Sequence, residues 1–244
     1  GGRCMTAKDA AALFGQAVGG RGWYAPPDTR ALITKQPGVM RFLEPGAYRM
    51  MYGVARMSKN GTGISGDNYT YSGSLPGQVI MSLSDGMGSG AAADQESRKV
   101  IELLQQLLET GFSARSALKM VNTILMLTGT EQHPATLDLC CVDLCSGVLE
   151  AMKMGAVATF VLSNGQAEIL DAGNLPAGVL SQAEPALLSR KLWDNDQIIM
   201  ITDGVLDACP GLDKEQSLKE YLESMPVKTP QDMAERILRF ACQN

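Results

Sequence analysis

A single histidine, His133, is present in the whole chain, and the six cysteines Cys4, Cys140, Cys141, Cys145, Cys209 and Cys242 include no C-x-x-C pair. Zinc sites are built from closely spaced thiolates and imidazoles, so their lack argues against zinc. Several of the cysteines fall inside apolar runs instead, which reads as reduced, buried thiols of a cytosolic chain. No run approaches the roughly 20 apolar residues that cross a bilayer, so this segment is expected to make no membrane contact of its own. A G-x-S-x-G elbow is missing, and His133 beside Pro134 reads as a loop residue rather than a general base. The Gly-rich Met87-Gly88-Ser89-Gly90 has neither the lysine of a Walker loop nor full G-x-G-x-x-G spacing, which disfavours nucleotide binding. Excess positive charge is lacking as well: 21 basic against 26 acidic residues leave a net charge of -5, and nucleic acid is not the expected partner. There is no internal repeat of domain size and no low-complexity tract.

What is there is the composition of a folded globule. The 244 residues, 45% hydrophobic and 19% charged, suffice for one sizeable core. The spacing predicts a first helix after Thr6, with Asp9 in capping-box position and Ala10, Leu13, Phe14 and Val18 on one face before Gly19 and Gly20. A stretch punctuated by Gly and Pro follows, to about residue 46. Residues 1–47 are therefore expected to form a regulatory helix and linker, and residues 48–244 the main domain. Strands are expected over 48–55, 79–83, 137–144, 148–154, 156–162, around Ile169, and over 197–201. Two helices fall between the second and third of these. The first carries Val100, Leu103, Leu104, Leu107 and Leu108, and the second Leu118, Val121, Ile124 and Leu125. Thr229, Pro230 and Asp232 mark the start of a last helix. Short strands joined by Gly, Asn and Asp turns favour an antiparallel α+β architecture with helices on the outer face of a sheet.

One phrase occurs twice. Val79-Ile80-Met81-Ser82-Leu83 runs into Ser84-Asp85-Gly86, and Ile198-Ile199-Met200-Ile201 runs into Thr202-Asp203-Gly204. Each puts a carboxylate where an apolar strand ends, followed by a glycine that lets the backbone turn or approach an ion. Asp67, in Ser65-Gly66-Asp67, adds a third acid. Like charges brought together need a shared proton or a bound cation, and oxygen-only ligands suit Mg²⁺ or Mn²⁺. The plainer alternative is that each Asp-Gly is a turn.

The order of these motifs, with Ala135-Thr136-Leu137-Asp138 and Gly173-Asn174-Leu175-Pro176 between them, resembles the PPM-type metal-dependent protein phosphatase superfamily. The Ser-Asp-Gly-Met-Gly-Ser-Gly form resembles the carboxyl-terminal phosphatase domain of the stage II sporulation protein E family. The resemblance spans about residue 48 to the end. It implies an αββα sandwich of two antiparallel sheets, with two divalent cations, Mn²⁺ preferred and Mg²⁺ possible, at one edge between them. Asp85 would bridge both cations, the Gly86 carbonyl would ligate one, Asp203 would hold the other, and Asp67 would be a nearby ligand. Asp138 would support the ligands from behind or be an ordinary strand residue.

The resemblance further implies hydrolysis of phosphoserine by a water attacking in line, without a phosphoenzyme. The implied substrate is a phosphorylated anti-anti-sigma factor whose dephosphorylation activates a sporulation sigma factor. A cell-division protein is implied as a partner of the whole protein, which would be membrane-anchored at the sporulation septum with this domain in the cytoplasm; a homodimer through the first helix is also implied. Two departures are visible. Met87 stands where animal members carry a histidine, and the sequence stops at Ala241-Cys242-Gln243-Asn244, where an Asp-rich closing strand with a further ligand would begin. The fold is therefore expected to lack its final strand and the chain to bind metal weakly. The rival readings are a PPM-fold scaffold that binds a phosphorylated partner without turnover, and a phosphatase of small phosphoesters.

Overall fold

The computed structural model describes the chain except residues 1–4, 20–21, 27–31, 34–37, 58–64, 74–76, 87–89, 129–134, 172, 174, 181–183, 227–228 and 243–244. The expectations for Cys4, Met87 and His133 lie outside the described residues.

Two antiparallel sheets form the centre. The larger has the order β1-β2-β3-β4-β7, from β1 (Asp67–Ser72), β2 (Gln78–Asp85), β3 (Leu137–Asp143), β4 (Val148–Met154) and β7 (Ala186–Lys191). The smaller, among the described residues, has the order β6-β5-β8, from β5 (Thr159–Ser163), β6 (Gln166–Leu170) and β8 (Gln197–Ile199). Strand periodicity divides each sequence between two environments. In β3, Leu137, Leu139 and Cys141 join the cluster formed with α2 (Ala91–Glu109) and α3 (Ala114–Thr128), built on Val100, Leu104, Leu118 and Val121. The alternate residues Cys140 and Val142 meet Val161 and Ile198 of the smaller sheet. That sheet's other face, with Phe160, Leu162 and Ile199, is covered by α4 (Asp203–Ala208), α5 (Lys214–Ser224) and α6 (Pro230–Ala241). The result is helix, sheet, sheet, helix: the expected αββα sandwich.

Local signals set several boundaries. In α1 (Ala7–Val18) the Thr6 hydroxyl caps the Asp9 amide while the Asp9 carboxylate accepts from the Thr6 amide at 3.0 Å. In α6 the Thr229 hydroxyl accepts from the Asp232 amide at 3.1 Å, with Pro230 opening the helix. Elsewhere the structure differs from expectation. Residues 48–55 form no strand. Tyr48 donates its amide to the Leu144 carbonyl at 3.0 Å, but Val54 has both backbone groups taken by the Gln231 side chain of α6, which replaces a ladder. The strand expected over 156–162 starts at Thr159, and the one over 197–201 ends at Ile199. β1, β7, α4 and α5 are additional elements.

Candidate metal centre

β1 and β2 pair so that Asp67 lies directly opposite Asp85 at the end of the ladder. Residues opposite one another in an antiparallel pair share a face. For these two it is the face toward the smaller sheet, where Met81, two turns of the pleat back along β2, also packs. Asp203 comes from the other sheet: β8 ends, and Asp203 opens α4 after Thr202. The repeated strand-Asp-Gly phrases thus belong to opposing sheets and meet across the sandwich edge.

Asp85 is the centre of this arrangement, with its carboxyl hydrogen-bonded to both Asp203 and Asp67. Burial, then those two hydrogen bonds and the two neighbouring negative charges, push its pKa up to about 9. Asp67 is held from two sides, by the Ser65 hydroxyl at 3.1 Å and the Thr202 hydroxyl at 3.3 Å. Thr136 fixes the backbone of Asp85: its hydroxyl accepts from the Asp85 amide at 3.1 Å, and its amide donates to the Asp85 carbonyl at 3.1 Å.

Glycine is required at Gly86, where any Cβ would collide with the Ala93 carbonyl at the start of α2. At Gly66 a Cβ would sit 3.5 Å from the Gly86 carbonyl oxygen and 3.6 Å from Asp85 Oδ1, filling the space beside both oxygens. The α2 start is tied to this loop by the Ser97 hydroxyl, which donates to the Gly66 carbonyl, and by Asn68 Nδ2, which donates to Ser97 Oγ at 2.8 Å and Asp94 Oδ1 at 3.1 Å.

Of the residues singled out in the sequence, the structure brings Asp67, Asp85, Gly86 and Asp203 together. Asp138 stands apart, on β3, engaged at 2.6 Å by Lys153 of β4, although it lines a small cavity together with Asp203. Two basic residues were missed. Arg56, beside the cluster, donates to the Ser65 carbonyl at 2.8 Å and pairs with Asp94 at 3.3 Å. Lys153 has a side chain that is 0% exposed. Neither carries a local sequence signal; a lysine within an apolar strand was the nearest hint.

The residues fit divalent cations. All candidate ligand atoms are oxygens, the glycines leave room beside them, and the like charges of Asp67, Asp85 and Asp203 call for a cation between them. Among the described residues no three acidic, His or Cys side chains yet close into a coordination shell; the contacts run pairwise through Asp85. The cluster lies in a cleft of about 1460 Å³ that continues past Tyr52, Tyr69 and Tyr71.

Comparison with known proteins agrees with the fold. The family model for stage II sporulation protein E matches residues 76–243. Stage II sporulation protein E of Bacillus subtilis (strain 168) is 31% identical over 193 residues, covering 79% of this chain and 23% of the relative. The chain therefore spans about a quarter of that relative's length. A structure of the PP2C phosphatase domain and a fragment of the regulatory domain of the Bacillus subtilis protein superposes with a TM-score of 0.80 at 26% identity, covering 99% of this chain and 71% of that one. RsbX in complex with magnesium, 16% identical with a TM-score of 0.59, covering 77% of this chain and 85% of that one, shares the fold alone.

The two-sheet sandwich and its agreement with that structure define a PP2C-type protein phosphatase domain. Within that class, the chain belongs to the stage II sporulation protein E family.

Proposed function

We propose that this chain is a metal-dependent serine/threonine phosphoprotein phosphatase. The observation that carries the reading is the convergence of Asp67, Asp85 and Asp203 from two sheets on one point. Asp85 and the Gly86 carbonyl, with Asp203 and Asp67, would hold two divalent cations, Mn²⁺ or Mg²⁺; the magnesium complex of RsbX supports the choice of ion class. Such ions supply Lewis-acid charge neutralisation and water activation in phosphoryl chemistry. The chain's own residues supply the rest. Ser65 and Thr202 orient Asp67, Thr136 fixes the Asp85 backbone, and Asp85 exchanges its proton for positive charge.

Competition between a phosphoserine protein and a small phosphoester separates a protein substrate from a small one. Family membership supports a phosphorylated anti-anti-sigma factor as substrate, with sigma-factor activation as the consequence, and a cell-division protein as a partner of the whole, membrane-anchored protein at the sporulation septum.

The test is phosphate release from a phosphoserine protein with Mn²⁺, with Mg²⁺ and with chelator. Asp85→Ala and Asp203→Ala are each expected to lower turnover by about 1000-fold or more, since several kcal/mol of transition-state charge stabilisation depend on them. Near-normal turnover in either variant contradicts the assignment. Partner binding without metal-dependent turnover in the unmodified chain would instead identify a scaffold.

A further inference from the structure

Behind the three carboxylates, the sandwich encloses an ion pair that the chemistry above leaves unused. Asp138 of β3 and Lys153 of β4 are cross-strand partners, with side chains 1% and 0% exposed. Lys153 Nζ donates to Asp138 Oδ2 at 2.6 Å, to the Val157 carbonyl at 2.8 Å and to Thr159 Oγ1 at 2.7 Å. The Thr159 hydroxyl also donates to Asp138 Oδ2, at 2.6 Å. Every one of these bonds to Asp138 falls on a single oxygen. The other, Oδ1, is buried and has no hydrogen-bond partner among the described residues.

A buried carboxylate oxygen left unpaired is costly, and folded proteins satisfy such atoms with ordered water where there is room and a second polar partner. Both are present. Asp138 lines a small cavity with Leu83, Thr136, Ile201, Thr202 and Asp203, whose size suits about one water molecule. Two of those residues already act on the cluster: Thr136 clamps Asp85, and Thr202 bonds to Asp67. Stability alone gives little reason to keep the ion pair, because well-packed apolar side chains in place of a buried pair are often as stable or more so.

We propose that Asp138 is a positioning residue: compensated by Lys153, it holds one buried water through Oδ1, and that water fixes the Thr202–Asp203 turn so that Asp203 is set for cation binding. The inference rests on the reading of Asp67, Asp85 and Asp203 as cation ligands. Lys153→Met alone would strand a buried carboxylate and unfold the chain for that reason, so the informative variant is the double replacement Asp138→Leu with Lys153→Met. It removes both charges at similar volume.

The experiment is calorimetric titration of the full chain with Mn²⁺, alongside thermal melting. The double variant is expected to melt cooperatively, somewhat below the unmodified chain because the Val157 carbonyl and Thr159 hydroxyl lose their partner, and to bind Mn²⁺ about 10- to 100-fold more weakly, the cost typical of losing a residue that orients a ligand. Its kcat should fall with KM for the phosphoprotein unchanged. Unchanged Mn²⁺ affinity in the folded double variant overturns the proposal. Absence of Mn²⁺ binding by the unmodified chain overturns the metal reading itself, which is a distinct result. A crystal structure gives a second measurement that needs no variant: a water within hydrogen-bonding distance of Asp138 Oδ1 supports the proposal, and a dry cavity refutes it.

Discussion

Asp85 concentrates the electrostatics of the molecule in one side chain. Its folded pKa is about 9 against an ordinary value of 3.8, so between those values the native state without metal holds a proton that the unfolded chain has lost. Where the native state binds more protons, stability falls as pH rises. The metal-free protein should therefore lose stability progressively from about pH 4 to pH 9, and Asp85→Asn, which cannot ionise, should flatten that slope. Thermal melts across this range in chelator check it; a melting temperature that rises with pH through the window contradicts the charge assignment. Asp138 is different in kind. Burial pushes its carboxyl upward, but Lys153 and Thr159 oppose this, so it carries its own compensation where Asp85 awaits an external one. The sequence pattern exposes Asp67, Asp85 and Asp203 because each sits in a glycine-rich turn signature. Arg56 and Lys153 have no such signature, since their roles depend on partners brought together only by the fold.

At the scale of elements, periodicity carried most of the reading. The strands with clear apolar content, β2, β3 and β4, lie close to their expected bounds, and the caps of α1 and α6 are where Thr6 and Thr229 predict them. β1 was hidden by its polar Asp-Asn-Tyr-Thr-Tyr-Ser sequence, and β7 by an alternating pattern that leaves Leu187 half-exposed. Residues 48–55 were misread for the opposite reason: they have strand-like side chains, but Gln231, 177 positions from Val54, supplies the hydrogen bonds. What the sequence could not convey is that the two strand-Asp-Gly phrases come from different sheets. β2 meets the start of α2 closely at Gly86. Gly86→Ala should force a Cβ against the Ala93 carbonyl and cost about 1–3 kcal/mol, the usual range for overpacking. Denaturant unfolding measures this, and an unchanged midpoint would show that α2 is not fitted closely to the turn.

For the whole molecule, the division near residue 47 is a proposal that the contacts support. Residues before it bond to one another: Tyr24 and Leu43 exchange backbone hydrogen bonds at 2.9 Å, and Phe14 stacks with Phe42 and meets Trp23 edge-on. The apolar face of α1 is not covered by this, since Leu13, Phe14 and Val18 remain 39–58% exposed. An amphipathic helix with so much of its apolar face open suits a regulatory or dimerising role. Removing residues 1–47 should leave a cooperatively melting sandwich while changing oligomeric state or turnover. Identical mass in solution and identical turnover would remove that role.

Mn²⁺ titration calorimetry at pH 7, in two buffers of different ionisation enthalpy, tests directly whether the three carboxylates form a cation site. The unmodified chain is expected to bind Mn²⁺ saturably and release protons as Asp85 ionises, whereas Asp85→Asn should lose most of both signals. Equal binding by the two proteins, or no binding by the unmodified chain, would contradict a cation site there.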